Sequence, residues 1–487
     1  MLQNTPVLRT SHAGLNQTFA WAVDKALSYV QTGKSGPIDR HERSAGVSGK
    51  QYEPSYWAGY TFRTAYYSRD FCHQAAGAQL LGLKTENFTM LQRFAATSTA
   101  GRKWFPLWAI NFDGSPFKLD WDSDDSFVRE VPAVFELVEQ CWQQYLWTGD
   151  KRYITDETLV NYCRKAMTDF IKLHDNRRPN GIAEGTGTGD IFKGSATYNE
   201  VHSDNPLVEA GDGIACQYRA HVAFANILKA RGERAAATLE QKRAAALRQH
   251  FNTVWSHAQG SESIVRGYDK AGKPQTDWGL ENSWFMPMKG IVDAGPRLDR
   301  LMEMIRNRMD DPKTRPSNIE ATSYIPDVFF ARGDRESAWK WMENIHKAPA
   351  SARDYPEISF TVISHVVCGL LGVIPDAPRA QITTQSHLPA AIGEVTVENI
   401  SIGDARFTVS HTGITRSDVT LTAGVKTFTW LARFPWRHTE VTVNGRSRKT
   451  DILTDNGIVF SQVKVPLRQG QKVSVKLQGP ASARTKS

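Results

Sequence analysis

The sequence predicts a mainly α protein: an (α/α)6 toroid of six helical hairpins followed by a small antiparallel β domain. Three observations lead there. Between residues 15 and 373, twelve successive segments carry a 3.6-residue apolar period broken by turn residues. Those segments alternate in character, since one kind is apolar nearly all round and the other shows one charged face. From about Pro375 the period changes to two and β-branched residues take over.

The helical segments fall near 15–32, 56–82, 85–98, 124–148, 152–175, 209–232, 234–256, 281–293, 297–309, 319–333, 335–346 and 356–373. The even-numbered ones are the more apolar. WAGYTFRTAYYSRDFCHQAAGAQLLG and ISFTVISHVVCGLLG carry few charges on any face, whereas RAAATLEQKRAAALRQHF and RGDRESAWKWMENIHK each present a charged stripe. A helix apolar all round must be buried, and a one-sided helix covers it from outside. Six inner helices ringed by six outer ones follow.

The strands read GEVTVENISI, ARFTVSH, DVTLTAG, TFTWLARF, HTEVTVNG, GIVFSQVKV and QKVSVKLQG, with the Asn-Gly of TVNGRSRK marking a hairpin. The expected division is a helical catalytic domain over 1–374, a sandwich-like antiparallel β domain over 375–480, and a disordered tail, ASARTKS, over 481–487.

Composition bounds the function. With 487 residues, 40% apolar and 23% charged, the chain can bury a large core as a soluble globular protein. No stretch reaches the roughly 18–20 apolar residues of a membrane span, and MLQNTPVLRTSHAG lacks the apolar run of a signal peptide. A periplasmic or secreted protein whose signal has been removed would fit, and otherwise a cytoplasmic one. Five dispersed cysteines without a C-x-x-C pair read as buried thiols. The net charge of +8 is spread out, with no basic run interleaved by aromatics, so nucleic acid is not the expected partner; an acidic small substrate would be attracted.

In such a barrel all connections from an outer helix to the next inner one emerge at one end. They are the long ones here, 33–55, 99–123, 176–208, 257–280, 310–318 and 347–355, whereas the opposite turns are as short as GDKR and RGER. DWDSDD, residues 120–125, lies at that mouth. It fails the calcium-loop pattern, having Asp125 in place of the glycine and Val131 in place of the last glutamate. Its last acids, Asp124 and Asp125, are expected to start a helix. Trp121 and Asp122 are expected to face a sugar, the indole stacking on C–H groups and the carboxylate accepting from hydroxyls.

The connection NRRPNGIAEGTGTGDIFKGSATYNEVHSDNP brings Glu184, Asp190, Glu200 and Asp204 among glycines, without the G-K-[ST] of a phosphate loop. Acid and aromatic residues recur at the other entrances: Glu53 before Tyr56 and Trp57, Glu281 beside Trp284, Glu320 in NIEATSY, and Glu357 in DYPEISF. Trp57 and Trp284 would be costly to expose without a use. Arg69, Asp70 and His73 lie within one turn and read as a buried ionic network or the floor of a pocket. No H-E-x-x-H spacing occurs, so neither a metal nor a cofactor is expected.

Twelve helices, aromatic-rich entrance loops, TGD closing the fourth helix at 148–150 and the exit GLLGVIPDAP into a β domain resemble the six-hairpin glycosidases. That resemblance implies a carbohydrate-active enzyme that cleaves a glycosidic bond in an oligosaccharide or a plant or microbial polysaccharide fragment. By position in the inverting members, it implies Glu184 as acid and Glu357 as base, with Glu200, Asp204 or Glu209 able to replace Glu184. The substrate-binding set would be Trp57, Trp121, Asp122, Tyr198, Glu200, His202, Glu281, Trp284 and Glu320. A polysaccharide lyase is the alternative, with Tyr198, His202 and Asn199 acting on a uronate and Arg40, His41 and Arg43 supplying charge. A glycan-binding protein without catalysis is the third reading.

Overall fold

The computed structural model describes residues 5–198, 206–424 and 427–478. Twelve principal helices appear in the expected order. We number them α1 (Ala13–Ser28), α2 (Ser68–Leu80), α3 (Lys84–Thr97), α4 (Val131–Thr148), α5 (Glu157–Lys165), α6 (Gly211–Ala230), α7 (Arg234–His250), α8 (Glu281–Met288), α9 (Pro296–Asp310), α10 (Ile325–Phe330), α11 (Arg335–Lys347) and α12 (Pro356–Ser364). Three of them, α5, α7 and α12, run on into π turns at Ala166–Phe170, Phe251–Trp255 and His365–Leu370.

The even-numbered helices pack in a closed cycle. Each touches the next, α2 on α4, α4 on α6, α6 on α8 and α8 on α10; α10 meets the π turn of α12, and α12 returns to α2. The odd-numbered helices lie against this ring, α1 on α12, α3 on α4, α7 on α6 and α11 on α10. Burial matches the two kinds of sequence. Every residue of α12 is buried, whereas α9 buries one stripe, Leu298, Leu301, Met302, Ile305 and Met309. Glycines let inner helices approach closely. A Cβ at Gly77 of α2 would stand 2.2 Å from the carbonyl oxygen of Phe360 in α12, and one at Gly211 of α6 would stand 2.1 Å from that of Asn282 in α8.

Two inner helices begin later than the sequence suggests. Residues 56–67 are turns and a short strand, Ala65–Tyr67, rather than the start of α2. DWDSDD does not start α4: Trp121–Ser123 and Ser126–Phe127 pair as a small antiparallel hairpin, and α4 opens at Val131 with Pro132 in its first turn. The physical reason is local, since Pro132 fixes a helical start after it and Glu130 before it is extended. TGD behaves as read. Gly149 closes α4 at φ 68°, and Asp150 accepts from the amide of Arg152 at 2.9 Å.

The strands after Ile374 form two sheets. One has seven strands, including Val7–Thr10 from the N-terminal end, which pairs with Glu394–Ile402. The other has five and is not purely antiparallel, because Gln381–Gln385 runs parallel to Phe428–Pro435. The β region is therefore mixed, a correction to the expected antiparallel arrangement. Residues 481–487, expected as a tail, lie outside the described residues, as do 479 and 480. A continuous apolar core joins the helical ring to the sheets, and the amide of Gly403 donates to the carbonyl of Trp147 at the end of α4. Among the described residues no helix is long and apolar enough to cross a membrane.

Candidate active site

Every inner helix carries an acid at its entrance. Asp70, Asp212, Glu281 and Glu357 lie in the first turns of α2, α6, α8 and α12, Glu130 precedes α4, and Glu320 lies in the short helix Ile319–Ser323 that leads into α10. A helix N-terminus favours a carboxylate through its unpaired amides, which accounts for one such residue at a time. Their shared location has a further consequence. A cavity of about 440 Å³ opens among these entrances, and all six outer-to-inner connections contribute to its wall. They supply Tyr60 and Arg63 from the first, Trp108 and Asp120 from the second, Ile191 and Tyr198 from the third, Leu280 from the fourth, Pro316 to Asn318 from the fifth and Tyr355 from the sixth. Tyr67, Arg69, Asp70, Glu281, Glu320 and Ala321 complete it.

The floor is a compact ionic cluster. Oxygens of Asp70, Glu320 and Glu357 lie within 4.8 Å of one another, and these residues and Glu281 are between 0 and 6% exposed. The Arg69 guanidinium pairs with Glu320 and donates to the carbonyl of Tyr198 at 3.1 Å. His73 Nδ1 bonds Glu357 Oε1, its Nε2 lies 3.1 Å from Asp327, and its ring stacks on Tyr324 with centroids 3.7 Å apart. Tyr355 Oη donates to Asp70 Oδ1 at 2.6 Å. Three carboxyl groups thus share two cations.

Burial and mutual repulsion set the protonation. Burial, with Glu320 and Glu357 nearby, drives Asp70 well above the usual carboxylate range. Burial raises Glu281 to about 7 against the pull of Arg69. Burial also raises Glu357, with His73 opposing it. For His73 burial disfavours the charge, but Glu357 and Asp327 outweigh it and bring the ring to about 9. Two carboxyl groups keep an uncommitted oxygen. Glu320 uses Oε1 on Arg69 and Oε2 on Asn318 Nδ2 at 3.0 Å, but Glu281 Oε2 and Glu357 Oε2 have no hydrogen-bond partner among the described residues. Leu280, just before Glu281, is held at φ 51°, a conformation a branched side chain adopts only when its surroundings impose it.

The structure gathers some of the expected residues and sets others aside. Glu281, Glu320 and Tyr198 line the cavity, and Glu357 lies behind Asp70 and Glu320 with none of its surface exposed. Glu184 does not line it. Its carboxylate is clamped by the amides of Asn176, Arg177 and Arg178, the last at 2.7 Å, and shapes its own loop. Glu209, its expected substitute, is buried against Arg178, Asn180 and Trp255. Trp284 is fully buried at 5.6 Å from Trp278, so it lacks the exposure expected of it, whereas Trp57 is half-buried, packs edge-on to Phe112 and donates its indole to the carbonyl of Arg63. Trp121 lies under the Lys118 ammonium at 4.2 Å and donates to Asp124; Asp122 is exposed and accepts from Ser126. Neither lines the cavity. Glu200, His202, Asn199 and Asp204 lie outside the described residues.

Arg63, Tyr67 and Trp108 on the wall were not singled out by the sequence, whereas Asp120, the first residue of DWDSDD, lines the cavity as its place at the mouth suggested. One signal could have found some of the floor: an acid in the first turn of successive inner helices, Asp70 included.

Neither a family model nor a curated protein matches this sequence. Solved structures do resemble it. An α-L-rhamnosidase from Dictyoglumus thermophilum superposes with a TM-score of 0.61 at 12% identity, over 97% of this chain and 50% of that one. A GH78 family rhamnosidase of Bacillus sp. GL1 gives 0.58 at 11% identity over 87% and 41%, and an α-L-rhamnosidase from Aspergillus terreus gives 0.55 at 10% over 96% and 50%. The chain spans half or less of the length of these proteins. At such identities the likeness is one of fold: a helical domain joined to a sheet domain.

Proposed function

We propose that the helical ring is an (α/α)6 toroid and that the protein is a glycoside hydrolase acting on a neutral sugar, with α-L-rhamnosides as the first class to try. One observation carries the reading: buried carboxyl groups, Glu281 and Glu357 each raised to about 7 by burial, meet at the floor of a cavity to which every entrance loop contributes. Glycosidic cleavage needs a neutral acid for the leaving oxygen and an ionised carboxylate for water or the anomeric carbon. Glu281, on the wall and raised to about 7, is the proton donor. Glu357, paired with His73, is the base. These two keep a buried oxygen without a partner among the described residues, and such atoms are costly unless a ligand or water completes them.

Inversion is the proposed course. It needs carboxyl groups roughly 6.5–9.5 Å apart with water between them. The trio Asp70, Glu320 and Glu357 is too close together to supply both members, which favours an acid from outside it. Tyr60, Tyr67, Trp108 and Tyr355 offer ring faces to the C–H side of a sugar.

The pocket's charge argues against the expected acidic substrate. Burial favours the neutral form of Asp70 and Glu281, which leaves Asp120 and Glu320 against Arg63 and Arg69, so the described wall has no excess of positive charge to draw a uronate. A lyase base fares no better on Tyr198, because burial and Glu136, to which its hydroxyl donates at 2.7 Å, push its pKa well above 10.

The test is incubation with a panel of neutral and uronate-containing glycosides, following products and their first-formed anomer by proton NMR. The reading expects release of a neutral sugar with inverted configuration, lost in Glu281→Gln and Glu357→Gln. An unsaturated product would establish the lyase instead. Binding of glycans without turnover would establish the non-catalytic protein.

A further inference from the structure

Behind Glu357 the ring holds a second cluster that the hydrolytic reading does not use. His73 of α2, Asp327 of α10 and His365, the first residue of the π turn after α12, bring their ligand atoms within 4.8 Å of one another. His73 Nε2 and His365 Nε2 lie 3.1 and 3.5 Å from the same atom, Asp327 Oδ2. A four-coordinate ion with bonds of about 2.0–2.1 Å separates its ligands by about 3.3 Å, so the two separations to Asp327 already suit such an ion, and the third pair of ligand atoms lies within 4.8 Å.

We infer that His73, Asp327 and His365 form a site for one divalent transition metal within the ring, behind the carboxylate cluster.

His365 is the independent sign. Its side chain is 1% exposed, and among the described residues neither ring nitrogen has a hydrogen-bond partner. A buried imidazole left so is unfavourable unless something else takes its lone pair. It is carried by a π turn, a distortion of helical hydrogen bonding found frequently at functional positions. His73 supplies the usual support for a ligand. Its Nδ1 is held by Glu357, which directs Nε2 toward the ion, and Tyr324 stacks on the ring to fix its plane. The fourth position has somewhere to open. A cavity of about 650 Å³ is lined by His73, Asp327 and Cys368, reaches Arg433 and Phe460 of the sheets, and leaves the Asp327 side chain 36% exposed. Two imidazoles and one carboxylate suit zinc, cobalt or nickel rather than calcium or magnesium, which take oxygen ligands. Because the ligands come from three helices far apart in sequence, no local motif announces them. The site stands on these contacts alone and does not depend on the glycoside reading.

The experiment uses the full chain, stripped with chelator and dialysed. Zinc chloride titrated by calorimetry, and cobalt chloride followed by its visible absorption, are expected to show one equivalent bound at micromolar protein, with cobalt bands of a nitrogen and oxygen site. Saturating zinc is expected to raise Tm by several degrees. His365→Ala deletes an imidazole that has only the long contact to Asp327, and Asp327→Asn keeps the shape; each is expected to lose the equivalent and the Tm shift while keeping the far-ultraviolet dichroism of the parent. Absence of binding to the folded parent overturns the proposal, as does retention of the equivalent in both folded variants.

Discussion

Tyr355 donates its hydroxyl to Asp70 at 2.6 Å, and this bond joins the sixth entrance connection to the first turn of the first inner helix. It lies where the cycle of inner helices closes on itself, α12 against α2. Tyr355→Phe removes the donor but keeps the ring, which also meets Tyr60 edge-on at 5.0 Å. A buried hydrogen bond of this kind contributes about 1–2 kcal/mol. Denaturant unfolding of the variant should show a loss of that size with an unchanged slope, and an unchanged midpoint would mean that helix packing alone closes the ring.

Glu281 gives the pH dependence. Its carboxyl titrates at about 7 against an ordinary 4.5, because burial disfavours the charge. As a proton donor it works below that value, so kcat/KM should fall as pH rises through about 7. Glu281→Gln should lose about 10²–10⁴ of the rate and the alkaline limb with it. Stability has the same sign. A raised pKa stabilises the folded form fully at pH below 4.5 and loses that contribution as pH climbs through 7, a swing of about 3 kcal/mol for this shift. The glutamine variant lacks the swing and should therefore be the more stable protein in mild alkali, whereas a parallel pH dependence in both proteins would refute the assignment.

The order of twelve helices and then strands was legible in the sequence because burial imposes period and composition together, as in ISFTVISHVVCGLLG. The carboxylates at the floor were legible only in part. Glu281, Glu320 and Glu357 stand out because each opens a helix beside an aromatic residue, and Asp70 because it neighbours Arg69. What hid the rest is that a side chain's partners are set across the ring. Glu184 has a setting as suggestive as theirs, yet its fate is decided by three amides of its own loop. Trp284 reads as a sugar platform because sequence cannot tell a tryptophan at a mouth from one a turn deeper in a core. The hairpin in DWDSDD was hidden by a competing signal, the carboxylates that also suit a helix start.

Gly77 tests the packing that positions the site. Its missing Cβ lets α2 lie against the backbone of Phe360, with 2.2 Å to a carbonyl oxygen that has no flexible end to move away. Gly77→Ala must push α2 and α12 apart, and with them Asp70 and Glu357. Overpacking in a core costs about 1–3 kcal/mol, and a backbone clash belongs at the upper end. Alanine is the better helix former by about 1 kcal/mol, so a rise in Tm would show that the two helices are not in close contact.

Arg69 offers the most discriminating test of the cluster, because its charge is shared. The guanidinium pairs with Glu320, bonds the carbonyl of Tyr198 and lowers the pKa values of Asp70, Glu281 and Glu357. Removing one partner of a buried pair leaves an uncompensated charge, at a cost of about 3–5 kcal/mol. In Arg69→Met the acids lose their counter-charge and their pKa values rise further, so the folded form takes up protons that the parent does not hold. The deficit must then grow with pH: small at about pH 5, where the carboxyl groups can be neutral, and full at about pH 8. Arg69→Lys keeps the charge but not the fork that serves Glu320 and Tyr198 at once, so its loss should be intermediate and nearly independent of pH. Paired denaturant melts of the parent and both variants at the two pH values decide it. If the methionine variant were equally destabilised at both, Arg69 would be holding the Tyr198 loop by its hydrogen bond, and the acids would be balanced by other means.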